Sequence, residues 1–314
     1  MRDTFIKELT ALAKADRNIV LICGDLGFGV LKHYYEALPN QFLNAGIAEQ
    51  NLLGVAAGMA LEGKTVFVYS IANFPTLRCL EQIRNDCAYH RANVKVVTVG
   101  GGYAYGSLGM SHHATEDISI LRAIPNMTVI CPGDSVEANI AAHTAVETNG
   151  SVYIRLGRGG EGVVHESDAA LDLSAFILVG EAPEGMWDAA VLSTGAILGE
   201  CVKSCEILRA RGVRVAQFSV PRVKPTNISA IREIANRTAL IITVEENNIV
   251  GGFGSAVLET LCDCTMQIPK VVRLGIPDRF AENVGDQYAL RCCVGLDAES
   301  IARRICQTLS WSQL

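Results

Sequence analysis

The feature from which the fold can be worked out is the stretch Asn44-Ala45-Gly46-Ile47-Ala48-Glu49-Gln50-Asn51, which carries one carboxylate among small and apolar residues. It is followed by Leu52-Leu53-Gly54-Val55-Ala56-Ala57-Gly58-Met59-Ala60-Leu61, and a helix that is apolar on every face is typically buried. The sequence therefore predicts that Glu49 lies at the mouth of a buried helix, where a carboxylate is costly to place. A purely structural role, stabilised by the free amides and dipole of the helix N-terminus, stays open from this pattern alone.

Composition favours a globular protein of two domains. The chain has 314 residues, of which 49% are hydrophobic and 19% charged, so a sizeable core can form. The net charge of −6 argues against nucleic acid as a partner. The sequence has no apolar run long enough to span a bilayer, and residues 1–8 do not resemble a secretory signal.

The eleven cysteines are scattered through apolar segments, as reduced core cysteines are in cytosolic proteins. Cys262-Asp263-Cys264 and Cys292-Cys293 do not have the spacing of metal ligands. We therefore expect a cytoplasmic protein without a metal site of its own.

Short apolar runs alternate with helical patterns, which predicts an α/β fold of two domains, each a mostly parallel sheet flanked by helices. In the first half, strands are predicted at 19–23, 65–69, 94–99, 128–131 and 152–155, and loops at 70–75 and 103–114. Helices are predicted at 4–15, 49–63, 77–90 and 115–123, with another beginning at Asp134 or Ser135.

The pattern weakens after residue 156 and resumes near 188. We predict a first domain at 1–165, a linker at 166–187 and a second domain at 188–314. Strands of the second domain are predicted at 189–193, 213–217, 240–244 and 271–274, and helices at 197–209, 253–262 and 299–309.

Ligands of open parallel sheets bind at the carboxyl ends of the strands. In the first domain these ends carry Asp25, the loop at 70–75 and a glycine-rich loop at 100–109, which lacks the spacing of a dinucleotide loop. Ser111-His112-His113-Ala114-Thr115-Glu116-Asp117 is compatible with substrate binding, a metal site or a helix start. Arg155-Leu156-Gly157-Arg158 suits an anionic ligand or a surface ion pair.

With the Glu49 stretch placed before an apolar helix, the chain resembles the thiamine-diphosphate-dependent transketolase superfamily. The resemblance covers essentially the whole chain and corresponds to the pyrimidine-binding domain plus the transketolase C-terminal domain. It is carried further by these segments: Leu80-Glu81-Gln82-Ile83-Arg84-Asn85-Asp86, the His112 segment, Leu121-Arg122-Ala123-Ile124-Pro125-Asn126-Met127, residues 244–256 and Gly275-Ile276-Pro277-Asp278-Arg279-Phe280.

The resemblance implies that Glu49 is catalytic and bonds to N1′ of the cofactor's aminopyrimidine ring. An aromatic side chain stacks on that ring in the family, and Phe74 is the first candidate here, with Tyr69 second. Asp25, at the end of the first strand, is a further candidate for cofactor binding. His112 matches a histidine that contacts the hydroxyl groups of donor and acceptor.

Substrate recognition is similar to the family only in part. Arg158 matches an arginine that binds the substrate phosphate, and Arg2 is a candidate for a second one. Leu108 stands where an aspartate usually recognises a hydroxyl of the acceptor, and Gly100 or a neighbouring residue stands where a histidine helps to bind the phosphate. Tyr103 and Tyr105 lie in the same loop and are expected to shape a different pocket.

The chain lacks the Gly-Asp-Gly and later asparagine with which the family binds the diphosphate and Mg²⁺. The resemblance therefore implies a two-component transketolase. An N-terminal subunit would supply the diphosphate-binding domain and hold most of the thiamine diphosphate and Mg²⁺, in an α₂β₂ assembly. Such an enzyme transfers a two-carbon ketol unit from a ketose, phosphorylated or not, to an aldehyde. The β subunit of a 2-oxoacid dehydrogenase E1 component and a non-catalytic scaffold of the same fold are the alternatives.

Overall fold

The computed structural model describes residues 1–27, 29–167, 169–264 and 268–311. Within these described ranges, the first half contains six strands, namely β1 (Ile19–Cys23), β2 (Phe42–Asn44), β3 (Thr65–Ile71), β4 (Val94–Val99), β5 (Thr128–Ile130) and β6 (Val152–Leu156). Its helices are α1 (Arg2–Ala15), α2 (Lys32–Ala37), α3 (Glu49–Leu61), α4 (Asn73–Leu77), α5 (Leu80–Gln82), α6 (Asp117–Ala123) and α7 (Ser135–Glu147). A π-helical segment, Ile83–Tyr89, continues α5.

The second half contains the strands β7 (Ile177–Leu178), β8 (Ala189–Thr194), β9 (Val215–Ser219), β10 (Arg222–Lys224), β11 (Leu240–Asn248) and β12 (Lys270–Ile276). Its helices are α8 (Leu198–Ala210), α9 (Ile228–Ala235), α10 (Phe253–Cys264), α11 (Gln287–Cys293) and α12 (Ala298–Trp311). No helix in the described part of the chain is long and apolar enough to cross a membrane.

Two mostly parallel sheets organise these elements, which confirms the predicted fold class. The first sheet has the order β10-β5-β6-β4-β3-β1-β2 and the second the order β12-β11-β8-β9-β7. Each has one antiparallel edge strand, β10 beside β5 and β7 beside β9. β10 follows β9 in the chain but pairs with β5. The second half of the chain therefore supplies one of the two edge strands of the first sheet.

Helices cover both faces of the first sheet, as continuous apolar strands require. On one face, Val66 and Val68 of β3 belong to the same core cluster as Leu52 and Leu53 of α3. On the other face, Phe67 of β3 shares a core cluster with residues of α1 and α7. The alternation of side chains along β3 therefore decides which residues lie on the α3 side of the sheet.

Three sequence predictions differ from the structure. The predicted 70–75 loop is wrong, because Ser70 and Ile71 pair with β4 and extend β3, and α4 follows almost at once. The predicted 77–90 helix is interrupted after α4 and resumes at α5. The helix after Glu49 is not buried on every face, since Gly54, Gly58 and Leu61 are exposed along one side of α3. The predicted N-cap is confirmed: the Asp134 carboxylate accepts hydrogen bonds from two amides of α7.

Candidate active site

A side-chain bridge braces the turn that leads to Glu49. The Asp25 backbone amide donates to Asn44 Oδ1 at 3.1 Å, and Asn44 Nδ2 donates back to Asp25 Oδ1 at 2.9 Å. The Gly46 amide also donates to Asn44 Oδ1, at 3.0 Å. Gly46 has a φ of 72°, which favours glycine. Asp25, at the end of β1, is thus connected to the segment that ends β2 and begins α3.

Glu49 is the first residue of α3, and its side chain is only 4% exposed, as the sequence predicts. Its carboxylate is paired with Arg78, whose Nη1 donates to Glu49 Oε2 at 2.7 Å. Arg78 follows α4 and is 49% exposed, and its carbonyl oxygen accepts a hydrogen bond from Gln50 Nε2 at 3.2 Å. Arg78 could not be predicted from the sequence, because the two partners lie 29 residues apart and no local pattern connects them.

Arg78 also connects Glu49 to the predicted aromatic and histidine residues. Its guanidinium lies over the ring of Phe74, 5.0 Å from the centroid. The Phe74 ring in turn meets His112 edge-on, with 5.3 Å between centroids. Ser111 Oγ lies 3.1 Å from His112 Nδ1. The structure therefore brings Glu49, Phe74 and His112 into one continuous group of side chains.

A second group gathers the two predicted arginines around two tyrosines. The Arg158 guanidinium lies over the Tyr105 ring, 5.0 Å from its centroid. The charge of Arg2 acts on the phenol groups of both Tyr105 and Tyr69. Burial raises the pKa of Tyr105, and the charges of Arg158 and Arg2 oppose that rise. Tyr69 belongs to the core cluster on the α1 side of the sheet, on the face opposite α3.

Tyr105 fills the space beside Gly100. A Cβ added to Gly100 would lie 2.2 Å from Tyr105 Cε2, and Gly100 has a φ of 89°. No other residue fits at position 100 unless the tyrosine ring moves. Leu108, farther along the loop, is 54% exposed.

Tyr103 is directed towards the second domain. Its buried ring meets His113 edge-on, at 5.2 Å between centroids, and its amide donates to Glu246 Oε1 at 2.8 Å. Burial, reinforced by the charge of Glu246, raises the pKa of Tyr103 to about 12. Tyr103 and Tyr105, two residues apart, therefore face different surroundings.

Arg155 is neither an open anion site nor part of a surface ion pair, the two possibilities that the sequence left open. It is buried, and its Nε donates to Asp117 Oδ2 at 2.7 Å. Its Nη2 donates to the carbonyl oxygens of Ala114 at 2.8 Å and Glu246 at 2.9 Å. Arg155 thus joins the two domains, while Arg158, three residues later, remains exposed.

Metal-ligating side chains are not clustered in the described ranges. No group of three or more His, Cys, Asp and Glu residues there could hold a metal ion.

Two family models match the chain in order. The transketolase pyrimidine-binding domain matches residues 1–160, and the transketolase C-terminal domain matches residues 184–301. The chain belongs to the transketolase family. Enzymes of this family use thiamine diphosphate and a divalent metal ion.

Two relatives that match this transketolase chain over nearly their whole length are themselves named as subunits. It is 36% identical over 309 residues to a subunit of the apulose-4-phosphate transketolase of Phocaeicola vulgatus, covering 96% of this chain and 95% of the relative. It is 33% identical to the 6-deoxy-6-sulfo-D-fructose transketolase subunit SqwH of a Clostridium species, covering 96% and 92%. A solved split-gene transketolase, described as an inactive β4 tetramer, superposes with a TM-score of 0.89 at 32% identity over 98% of both chains. This transketolase chain is therefore the C-terminal subunit of a two-component transketolase.

Proposed function

We propose that Glu49 is the carboxylate with which this chain engages the pyrimidine ring of thiamine diphosphate, in an enzyme that moves a two-carbon ketol unit from a ketose to an aldehyde. The observation that carries the proposal is the burial of Glu49 at the ligand-binding edge of a parallel sheet, joined through Arg78 to Phe74. A buried carboxylate at such an edge is a candidate for proton transfer.

The surroundings of Glu49 fit a pyrimidine ring. Among the described residues, Arg78 is the hydrogen-bond partner of Oε2 and none occupies Oε1, so one carboxylate oxygen is available to a ring nitrogen. A Cβ added to Gly46 would meet nothing within 4 Å, so there is open space beside the turn before Glu49. Phe74, half-buried on the other side of Arg78, supplies an apolar ring for stacking.

Each residue then has a separate task. Thiamine diphosphate supplies the electron sink for breaking and forming the carbon–carbon bond. Glu49 holds a proton at the pyrimidine nitrogen, Phe74 packs against the ring, and His112 hydrogen-bonds to substrate hydroxyl groups. Asp25 supports the turn before Glu49 through Asn44. The position of Tyr69 on the α1 side of the sheet favours Phe74 as the stacking residue.

The substrate is a ketose with an anionic end. Arg158 and Arg2 lie around Tyr105 near the ends of β3 and β6, and guanidinium groups bind phosphate and related oxyanions well. Two full-length relatives are named for a phosphorylated and a sulfonated ketose. Tyr105 and the exposed Leu108 line the same loop and shape the pocket, while Tyr103 fixes that loop to the second domain.

The partner is an N-terminal transketolase subunit that carries the diphosphate-binding domain and most of the contacts to Mg²⁺. The exposed side of α3, with Gly54, Gly58 and Leu61, offers an apolar surface that a second chain can cover. An α₂β₂ assembly would place each cofactor between chains. Six buried cysteines are consistent with a reducing, cytoplasmic environment: Cys23, Cys79, Cys87, Cys131, Cys201 and Cys205.

Reconstitution tests the proposal. The chain is mixed with its partner subunit, thiamine diphosphate and Mg²⁺, and phosphorylated, sulfonated and uncharged ketoses are screened against aldehydes. Ketol transfer that needs both subunits is the expected result. The decisive comparison is with pyruvate and branched 2-oxoacids, because their decarboxylation without ketol transfer would instead indicate a 2-oxoacid dehydrogenase E1 β subunit. Inactivity with both substrate classes would favour a non-catalytic scaffold.

A further inference from the structure

Two adjacent carboxylates near the end of β11 serve different domains. Glu245 is buried and accepts hydrogen bonds from the amides of Phe253 at 2.7 Å and Gly254 at 2.8 Å, so it caps α10 within the second domain. Burial raises the pKa of Glu245 to about 7, although the two amides oppose this rise. Glu246 is equally buried but, because side chains alternate along a strand, it lies on the opposite side of β11.

Glu246 reaches the first domain. Its Oε1 accepts a hydrogen bond from the Tyr103 amide at 2.8 Å, while Gln287 Nε2 donates to both carboxylate oxygens at 3.0 Å. Arg291 Nε donates to Oε2 at 2.9 Å. A Cβ added to Gly102 would lie 2.6 Å from Glu246 Cγ, so the close approach of the carboxylate depends on glycine at that position. The α11 residues thus orient a carboxylate that binds the first-domain loop.

The contact with Tyr103 lies at the base of the loop that carries Tyr105, Leu108 and His112. Gly102 and Ala114 close this base as an antiparallel bridge, with N–H to O distances of 2.7 and 3.0 Å. Arg155 Nη2 donates to the carbonyl oxygens of both Ala114 and Glu246. One end of the loop, at Tyr103, is therefore bonded directly to the Glu246 side chain. The other end, at Ala114, is connected to the Glu246 carbonyl group through Arg155.

We propose that Glu246 is a positioning residue, through which the C-terminal domain holds the 103–113 loop in the conformation that binds substrate. The proposal rests on the proposed function in one respect, since that function assigns substrate contacts to His112 and Tyr105. Glu246 does not touch the substrate. It acts through the Tyr103 amide, and Gln287 and Arg291 keep its carboxylate in place.

Hydrogen exchange of the isolated chain tests the structural half of the proposal. Glu246→Gln is compared with Glu245→Gln, which removes a neighbouring buried charge that does not touch the loop. Glu246→Gln should speed amide exchange in residues 103–113, whereas Glu245→Gln should speed it mainly at the start of α10. Equal exchange in the loop for both variants would overturn the proposal. Gln287→Ala, a milder change on the same carboxylate, should give a smaller effect in the same loop and applies even where Glu246→Gln folds poorly.

Kinetics of the reconstituted enzyme test the functional half. Glu246→Gln should raise KM for the ketose about tenfold or more. The dissociation constant of thiamine diphosphate should change much less, because Glu49 and Phe74 lie on other elements and Phe74 meets the loop only at His112. Glu245→Gln should leave both unchanged. A loosened loop with an unaltered KM would overturn the link to substrate binding. If the unaltered pair transfers no ketol unit while the exchange difference persists, the proposed function fails and the positioning of the loop by Glu246 stands.

Discussion

Arg78 donates a hydrogen bond of 2.7 Å to the Glu49 carboxylate, and the same guanidinium lies over the ring of Phe74. A residue outside every sequence motif thus joins the predicted catalytic acid to the predicted stacking ring. One partner of the pair is buried and the other is half-exposed. The carboxylate is therefore oriented from the solvent side, where a cofactor would also approach.

Glu49→Gln should reduce ketol transfer by the reconstituted enzyme by at least about a hundredfold, as loss of a general acid–base group does. The fold should persist, because glutamine keeps the shape of the side chain and a hydrogen-bond acceptor for Arg78. Turnover with a ketose and an aldehyde is measured beside far-ultraviolet circular dichroism. Glu62→Gln, an exposed change at the end of the same helix, should retain full activity. Retained turnover in Glu49→Gln would remove Glu49 from the mechanism.

Arg78→Gln should weaken the binding of thiamine diphosphate several-fold, because the Glu49 carboxylate loses its orienting partner. The change should cost the isolated chain about 1 to 3 kcal/mol of unfolding free energy, since it leaves the buried Glu49 carboxylate without its charged partner. Fluorescence titration of the reconstituted pair gives the dissociation constant, and urea denaturation gives the stability. Arg84→Gln, which alters an exposed contact with Asn85, is the matched control. An unchanged dissociation constant would contradict this role of Arg78.

Arg158→Gln should raise KM for a phosphorylated or sulfonated ketose by about tenfold to a hundredfold, the expected loss for one charge-assisted hydrogen bond. The KM for the uncharged parent sugar should stay the same, because that sugar has no oxyanion to bind. Arg2→Gln should shift KM in the same direction. Arg17→Gln, an exposed charge change after α1, should affect neither substrate. Equal increases for charged and uncharged ketoses would show that Arg158 does not bind the anionic end.

The free energy of unfolding should increase with pH because of the buried side chain of Lys95. It is buried on the central strand β4, and its ammonium donates to the carbonyl oxygens of Thr148 and Gly150. Burial lowers the pKa of Lys95 to about 7, whereas an unfolded lysine titrates near pH 10.4. Between these values the unfolded chain binds more protons, so the unfolding free energy increases with pH.

The measurement compares urea denaturation of the parent chain and Lys95→Met at several pH values. The parent should gain stability relative to Lys95→Met between about pH 7 and about pH 10. Lys14→Met, which changes an exposed lysine of α1, should give a curve parallel to that of the parent. If the Lys95→Met curve is also parallel to the parent curve, Lys95 carries its charge in the folded state throughout this range.

The accuracy of the sequence predictions follows the length and burial of each element. The bounds predicted for β1 and β4 match the structure, because a strand buried on both faces needs a continuous apolar run. The short edge strands β7 and β10 and the short helix α11 were missed, since two to seven residues carry too little periodicity to be recognised.

The sequence by itself determined the α/β class, the family and the burial of Glu49, because apolar runs and motifs are properties of neighbouring residues. Only the tertiary structure decided that β10 completes the first sheet, that Arg78 pairs with Glu49 and that Glu246 holds Tyr103. These contacts join groups 29 to 143 residues apart. Such contacts depend on how the packed sheets and helices bring side chains together, which no local pattern of residues encodes.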